Sequence, residues 1–189
     1  ENKKRFNKKT KNKKVVIAGF VSENLIPIKV IQKLIKFNCK ICFLVNNDSR
    51  KRISNIVKNF KINQNKQIYF KDYINNANYY NFLEKFNVGL CTFYNQINDG
   101  LYSKDFTNYG SSTKLADYIS VGLLPIIGTN YKFQQKICKE LKVNYLTDNI
   151  FMKLSYKKFI KCINTYHEIN AKKILEKHKI YFNEFLNEK

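Results

Sequence analysis

The chain has 189 residues, of which 44% are apolar and 26% charged, a composition that supports a folded domain and excludes a largely disordered chain. Lys and Arg outnumber Asp and Glu by 35 to 14, and the formal charge of +21 predicts attraction to phosphates, nucleic acid or anionic lipid. No uninterrupted apolar run approaches the ~18 residues that a membrane-spanning helix needs, which excludes such a helix.

The amino-terminal segment, residues 1–14, carries eight Lys or Arg residues and almost no apolar ones. We expect it to form a flexible basic arm or a linker from a preceding domain. The apolar stretch and cleavage site of a secretory signal do not follow it. Because the chain opens at Glu1 rather than at Met, we expect it to be a piece of a longer protein.

Six short apolar runs come next, and their lack of polar–apolar alternation predicts strands that are buried on both faces. They cover residues 15–20, 40–45, 68–70, 88–93, 123–127 and 143–146. Amphipathic stretches predict helices at about 25–35, 53–60, 79–86, 112–121, 133–141 and 156–186. Asn46 to Arg50 has the composition of a turn, residues 95–110 that of a long irregular loop, and Gly122 is placed to end a helix.

The alternation of buried strands and amphipathic helices defines a fold class. It predicts an α/β fold with a Rossmann-like, doubly wound parallel sheet of about six strands and helices on both faces. We assign residues 15–150 to this Rossmann-like unit and residues 151–189 to C-terminal helices that pack on the same domain.

The five cysteines lie mostly inside apolar stretches, at positions 39, 42, 91, 138 and 162. Their odd number and irregular spacing do not fit a secreted disulfide framework, and we expect reduced core residues of a cytoplasmic protein. Cys39 and Cys42 are three residues apart on a predicted strand and therefore face opposite sides. We expect them to form neither a metal site nor a redox pair.

The start of the helix near residue 112 is the segment with the most chemical content. Open parallel sheets bind ligands beyond the carboxyl ends of their strands, and a helix that begins there offers free backbone N–H groups to phosphate. Ser112 and Thr113 begin this helix, Lys114 adds a positive charge, and Asp117 could accept hydrogen bonds from a ribose diol. Equally, Ser112 can be an ordinary N-cap and Asp117 a simple complement to the helix dipole.

The stretch from Ser112 to Ile127 has the sequence STKLADYISVGLLPII. It resembles a segment of the GT-B glycosyltransferases, in particular of the glycosyltransferase group 1 (family 4-like) enzymes, where the pattern is approximately Pro-x-Lys-Leu-x-Glu-Tyr-x-Ala-x-Gly-x-Pro-Val-Ile. That segment belongs to their carboxy-terminal, nucleotide-sugar-binding domain. The predicted strand and helix order agrees with this domain, so the resemblance extends over most of the chain.

The resemblance implies a role for each matching residue. Asp117 would bind the ribose hydroxyls of the donor, and Ser112, Thr113 and Lys114 would surround its diphosphate. Gly19 would allow the phosphate to approach the backbone closely, and the loop that contains Lys71, Asp72 and Tyr73 would border the base. No metal or other cofactor is expected besides the nucleotide sugar, which is the substrate.

The sequence departs from the family pattern at several positions. The family acid is usually Glu, and Asp117 is one methylene shorter. An earlier family Glu falls on Tyr109, and an Arg that often follows the first-strand glycine falls on Phe20. Because such basic residues stabilise the leaving diphosphate, the sequence identifies no catalytic residue, and Lys104 and Lys114 are the candidate replacements.

The resemblance also implies that this chain is one of two domains of a larger enzyme. A GT-B enzyme closes two Rossmann-like domains around donor and acceptor, so this chain would supply the donor half and would not complete transfer alone. The expected partners are a nucleotide sugar and, through the other domain, a glycan, lipid-linked or protein acceptor in the synthesis of surface polysaccharide or glycoconjugate. We expect a cytoplasmic location with contact to the inner face of the membrane.

A second interpretation starts from the positive charge of the chain and from its aromatic residues. Lys71 lies among the aromatic residues Tyr69, Phe70 and Tyr73, and aromatic rings beside basic residues can stack the bases of a single strand. The alternative function is therefore that of a basic, non-enzymatic α/β domain that binds nucleic acid. Under the glycosyltransferase interpretation we do not expect nucleic acid as a partner.

Overall fold

A computed structural model describes residues 13–19, 26–59, 67–91 and 113–168 of the chain. Its strands are β1 (Lys14–Ala18), β2 (Lys40–Leu44), β3 (Ile68–Lys71), β4 (Val88–Leu90), β5 (Leu124–Ile127) and β6 (Leu146–Thr147). The helices of the described part are α1 (Ile28–Lys36), α2 (Asn47–Asn59), α3 (Asn76–Leu83), α4 (Thr113–Ser120), α5 (Lys132–Glu140), α6 (Asp148–Lys153) and α7 (Tyr156–Glu168). None of these helices is long and apolar enough to cross a bilayer.

The six strands form one parallel sheet in the order β3-β2-β1-β4-β5-β6. From β1 the chain moves outward to β2 and β3, returns past β1 to β4, and continues in the new direction to β6. Right-handed crossovers then place α1 and α2 on one face and α3, α4 and α5 on the other. The predicted doubly wound, Rossmann-like sheet is confirmed, and its switch point lies between β1 and β4.

The central strands are buried on both faces, as their unbroken apolar sequences predict. All residues of β4 and β5 and four of the five residues in β1 and β2 are buried. Strand β3 lies at the edge of the sheet and alternates between half-buried and exposed positions, with Tyr69 and Lys71 on the exposed side. The core therefore lies around the middle of the sheet, directly below the switch point.

Several predictions about element boundaries are wrong. The segment from Asn46 to Arg50 is the start of α2 rather than a turn: the Asn46 side chain accepts a hydrogen bond from the Ser49 N–H at 2.9 Å, as an N-cap does. Helix α3 begins at Asn76, three residues before the predicted start. The last strand is Leu146–Thr147 rather than 143–146, and α6 follows it without a loop because Thr147 caps that helix through the Ile150 N–H.

The predicted helix end at Gly122 is confirmed. Gly122 has φ of +76°, its N–H donates to the Ile119 carbonyl, and the Leu123 N–H donates to the Tyr118 carbonyl. These two bonds form a Schellman motif, which satisfies the last carbonyls of α4 and turns the chain directly into β5.

Two helices beyond residue 147 pack on the rest of the molecule through aromatic rings. Phe37, just after α1, lies 6.0 Å from Phe151 of α6 and 5.7 Å from Phe159 of α7, measured between ring centroids. The Lys33 ammonium donates to the Met152 carbonyl at 2.6 Å and lies over the Phe37 and Phe151 rings. Helices α6 and α7 are thereby fixed against the end of α1.

A buried tyrosine joins α4 to the switch point of the sheet. The Tyr118 ring is fully buried and lies on Gly89 of β4, where a Cβ atom would approach the ring to 2.2 Å. Its hydroxyl accepts a hydrogen bond from the Ala18 N–H at 3.0 Å. The pairing between β1 and β4 extends only to Val16 and Gly89, so the tyrosine hydroxyl takes the place of a strand partner for this amide.

The cysteines are free thiols, and four of them, Cys39, Cys42, Cys91 and Cys138, are buried. Burial raises the pKa of Cys39 and Cys138 to about 12 and that of Cys42 to about 11, and it also raises the pKa of Cys91. Cys162 is partly exposed. Because the thiolate is the reactive form, the buried thiols are protected both by burial and by protonation.

We predict that Gly89→Ala lowers the free energy of unfolding by about 3 kcal/mol, because the new methyl group overlaps the Tyr118 ring. Urea denaturation followed by circular dichroism measures the change. Adding Tyr118→Leu to Gly89→Ala should restore part of the loss, while the exposed substitution Lys136→Ala should change little. A loss below about 1 kcal/mol for Gly89→Ala would contradict the tight contact.

We also predict that one thiol of the folded protein, that of Cys162, reacts with an aromatic disulfide reagent at pH 8 within minutes. The other four should react only after denaturation, since their raised pKa values leave a small thiolate fraction. Peptide mass spectrometry identifies the labelled residue. Rapid labelling of Cys39 or Cys42 in the folded state would show that β2 is less well packed than described.

Candidate functional site

The residue after the first strand is a glycine with a backbone conformation that favours glycine. Gly19 follows β1 with φ of +100°, a conformation that side-chain-bearing residues rarely adopt, and its N–H donates to the Leu44 carbonyl at the end of β2. A Cβ atom at Gly19 would lie 3.0 Å from Cε of Lys114. The lysine side chain therefore crosses directly over the backbone at the carboxyl end of β1.

Lys114 and Asp117 lie one turn apart on α4 and form an ion pair. The Lys114 Nζ is 3.2 Å from Oδ2 of Asp117, and the two side chains are 24% and 15% exposed. This spacing places both residues on one side of the helix. The pair extends the site from Gly19 along α4, at the edge of the sheet where Rossmann-like folds bind their ligands.

Two adjacent tyrosines of α3 complete the surroundings of the carboxylate. The Tyr79 hydroxyl donates to Oδ2 of Asp117 at 3.0 Å and accepts a hydrogen bond from Lys114 Nζ at 3.3 Å. The Tyr80 hydroxyl donates to Oδ1 of Asp117 at 3.3 Å. The lysine ammonium also lies 5.1 Å from the centroid of the Tyr79 ring. Both carboxylate oxygens of Asp117 are thus engaged within the chain.

The two tyrosines differ in their environments. Tyr79 is 8% exposed and Tyr80 is 48% exposed, and their rings meet edge to face at 5.4 Å. Burial, and next the negative charge of Asp117, raise the pKa of Tyr79 far above the usual value, and the same causes raise the pKa of Tyr80. Both hydroxyls therefore stay protonated at physiological pH and remain hydrogen-bond donors to the carboxylate.

The structure brings together three of the residues that the sequence singled out, namely Gly19, Lys114 and Asp117. Thr113 is the first residue of α4 and is exposed. Tyr73, in the loop between β3 and α3, is 61% exposed and close enough to Tyr79 to influence its pKa. The side-chain hydrogen bonds to the Asp117 carboxylate thus come from Tyr79, Tyr80 and Lys114 rather than from Thr113 or Tyr73.

Several predicted positions lie outside the described residues. These are Ser112, Phe20, Lys104 and Tyr109, together with most of the basic arm, the loop at 95–110 and the end of the C-terminal tail. The assignment of Ser112 to the diphosphate stays a prediction. So does the suggestion that Lys104 replaces the basic residue that follows the first-strand glycine in the glycosyltransferase pattern.

Sequence reasoning missed Tyr79 and Tyr80, which it treated only as members of a helix. Their position in the sequence could have indicated a place at the site, because a helix that follows a parallel strand begins at the carboxyl edge of the sheet. Two tyrosines in the first turns of α3 are therefore placed near the ligand edge. The decisive fact, that α3 lies beside α4, follows from the strand order rather than from local sequence.

A polar groove on α2 lies apart from this cluster. Residues at helical spacing line it: Asn47, Arg50, Lys51, Ser54 and Asn55. Arg50 lies 3.8 Å from the Asp72 carboxylate, and both side chains are largely exposed. A solvent-exposed ion pair of this kind contributes little binding energy, and we place the candidate site at Gly19, Lys114 and Asp117 instead.

The arrangement combines a positive group and a carboxylate at the ligand edge of the sheet. An ammonium group beside a helix start and a glycine backbone suits phosphate oxygens, and a carboxylate next to it suits neighbouring hydroxyls as hydrogen-bond donors. The groups of the cluster are thus a charged pair, Lys114 and Asp117, and two tyrosine hydroxyls that orient the carboxylate.

Solved structures share this fold over nearly the whole chain. The GtfA/B complex matches 96% of this chain and 37% of that chain, with a TM-score of 0.60 and 12% identity. A protein of Listeria monocytogenes assigned as a UDP-N-acetylglucosamine 2-epimerase matches 88% of this chain and 42% of that chain, with a TM-score of 0.52 and 10% identity. No protein-family model and no curated protein matches the sequence.

The comparisons bear on the fold. They confirm the Rossmann-like fold that the sequence and the resemblance implied, since the GtfA/B complex and the Listeria monocytogenes protein share it. The chain spans about two fifths of the length of each of these two proteins.

Proposed function

We propose that this chain is the donor-binding domain of a GT-B glycosyltransferase and binds a nucleotide diphosphate sugar. The observation that carries the proposal is the Lys114–Asp117 pair on α4 beside the positive-φ backbone of Gly19. It joins an anion-binding group and a hydroxyl-binding group at the edge of a Rossmann-like sheet, in the register of the family motif. Two structures with this fold, one of them assigned as an epimerase of a UDP-sugar, support the choice of ligand class.

In this proposal each group has a separate task. The N–H groups at the start of α4, with Ser112, Thr113 and the Lys114 ammonium, hold the diphosphate. The Asp117 carboxylate accepts hydrogen bonds from the ribose diol, and Gly19 lets the phosphates approach the end of β1. Tyr73, exposed between β3 and α3, borders the base. No metal is required for binding, since the positive groups come from the chain itself.

Transfer requires a second domain. The chain spans about two fifths of each of the two similar proteins, and we propose that another domain of the full protein binds the acceptor. The acceptor is a glycan, a lipid-linked sugar or a protein, in the synthesis of surface polysaccharide or glycoconjugate. The net charge of +21 supports work at the cytoplasmic face of an anionic membrane.

We predict that UDP or GDP raises the melting temperature of the chain by roughly 5 °C at a ligand concentration about 100 times the Kd. Asp117→Asn should remove most of the shift, because the amide loses the negative charge and replaces one of the two acceptor oxygens with an NH2 donor. Glu140→Gln is the matched control: it neutralises another carboxylate, at a surface ion pair on α5, and should keep the full response.

The thermal-shift measurement, combined with an RNA-binding measurement, distinguishes the donor-binding proposal from the nucleic-acid interpretation. If no nucleotide diphosphate shifts the melting temperature while single-stranded RNA binds with a steep dependence on salt, the donor-binding proposal is wrong and the nucleic-acid interpretation replaces it.

We further predict that the chain alone transfers no sugar from UDP-sugars that it binds, because in this proposal another domain supplies the acceptor side of the cleft. Release of UDP measured in a coupled assay tests this point. Sustained sugar transfer by the isolated chain would contradict the two-domain proposal.

A further inference from the structure

The hydrogen bonds of Asp117 restrict how a ligand can reach it. An ionised carboxylate has about four acceptor positions. Three are taken within the chain: Tyr79 and Lys114 donate to Oδ2, and Tyr80 donates to Oδ1. A ribose diol brings two donors, so at least one of the present donors has to leave.

The three donors are not equally easy to displace. Tyr79 is buried, and its hydroxyl is held from both sides, since it accepts from Lys114 and donates to Asp117. The Lys114 ammonium is oriented by the Tyr79 ring and by the carboxylate. The Tyr80 hydroxyl makes the longest of the three contacts to the carboxylate, at 3.3 Å, and its side chain is 48% exposed.

We propose that Tyr80 is a displaceable occupant of the ribose position at Oδ1 of Asp117, and that Tyr79 is a positioning residue that keeps the carboxylate oriented through Oδ2. The inference rests on the proposed function, because it concerns the ribose diol. When the nucleotide binds, the Tyr80 hydroxyl turns to water and a ribose hydroxyl takes its place. The Tyr79 and Lys114 bonds remain in the complex.

The two adjacent tyrosines therefore have opposite effects on affinity. Removing the Tyr80 hydroxyl abolishes a competitor for Oδ1 and strengthens nucleotide binding. Removing the Tyr79 hydroxyl frees the carboxylate to rotate and leaves Lys114 without one of its partners, which weakens binding. A purely structural role for both residues would give two losses, or none.

The test measures the Kd of UDP, or of the diphosphate preferred in the thermal-shift panel, by calorimetry on the whole chain. Tyr80→Phe should tighten binding about two- to fivefold, and Tyr79→Phe should weaken it about tenfold. The 2′-deoxy form of the same nucleotide keeps only one hydroxyl of the diol, so with it the gain from Tyr80→Phe should fall below about twofold.

The outcomes are distinguishable. If wild type binds no nucleotide diphosphate, the proposed function and this inference both fail. If wild type binds and Asp117→Asn abolishes binding, but Tyr80→Phe weakens binding or leaves it unchanged, the inference alone is overturned. Tyr80→Phe changes an exposed side chain, so the decision does not depend on Tyr79→Phe, whose folding is checked by its circular dichroism spectrum.

Discussion

The contact of Tyr118 with the sheet determines where the candidate site lies. Helix α4 has only eight residues, too few to be stable without tertiary packing. Its position is set by a ring that lies on Gly89 and by a hydroxyl that accepts from the Ala18 N–H. Because Asp117 directly precedes this tyrosine in α4, a shift of the helix that displaced the ring would also displace the carboxylate. The side-chain-free position at Gly89 is therefore as important to the site as the charged residues.

The meeting of α3 and α4 follows from the topology of the sheet. The chain passes from β3 to β4 and from β4 to β5 in the same direction across the sheet. Right-handed crossovers in the same direction place their helices on the same face, which brings Tyr79 and Tyr80 beside Asp117 although about 37 residues separate them in sequence. The observed strand order is therefore what supplies the carboxylate with donors from outside its own helix.

The sequence predicted the features that local physics controls. Unbroken apolar runs located the buried strands, since a parallel sheet covered by helices leaves no polar alternation. Gly122 marked the end of α4 because few other residues adopt its positive φ. Asn46 was misassigned because the side chain that favours a turn also caps a helix. The choice between the two depends on the residues after it, where Ile53 and Val57 are buried on one face of α2.

The tyrosine contacts could not be predicted because they are long-range, and they bear on why an aspartate occupies this position. A Glu side chain at 117 would project one methylene further from α4, into the space of the Tyr79 and Tyr80 hydroxyls. The shorter aspartate keeps its carboxylate between the ammonium of Lys114 and the two hydroxyls, with all three donors within 3.3 Å. The sequence resemblance implied a Glu at this position, and the shorter aspartate found there fits the close spacing of the two tyrosine hydroxyls. A carboxylate held close to its helix needs donors from a neighbouring element to orient it, and α3 supplies them.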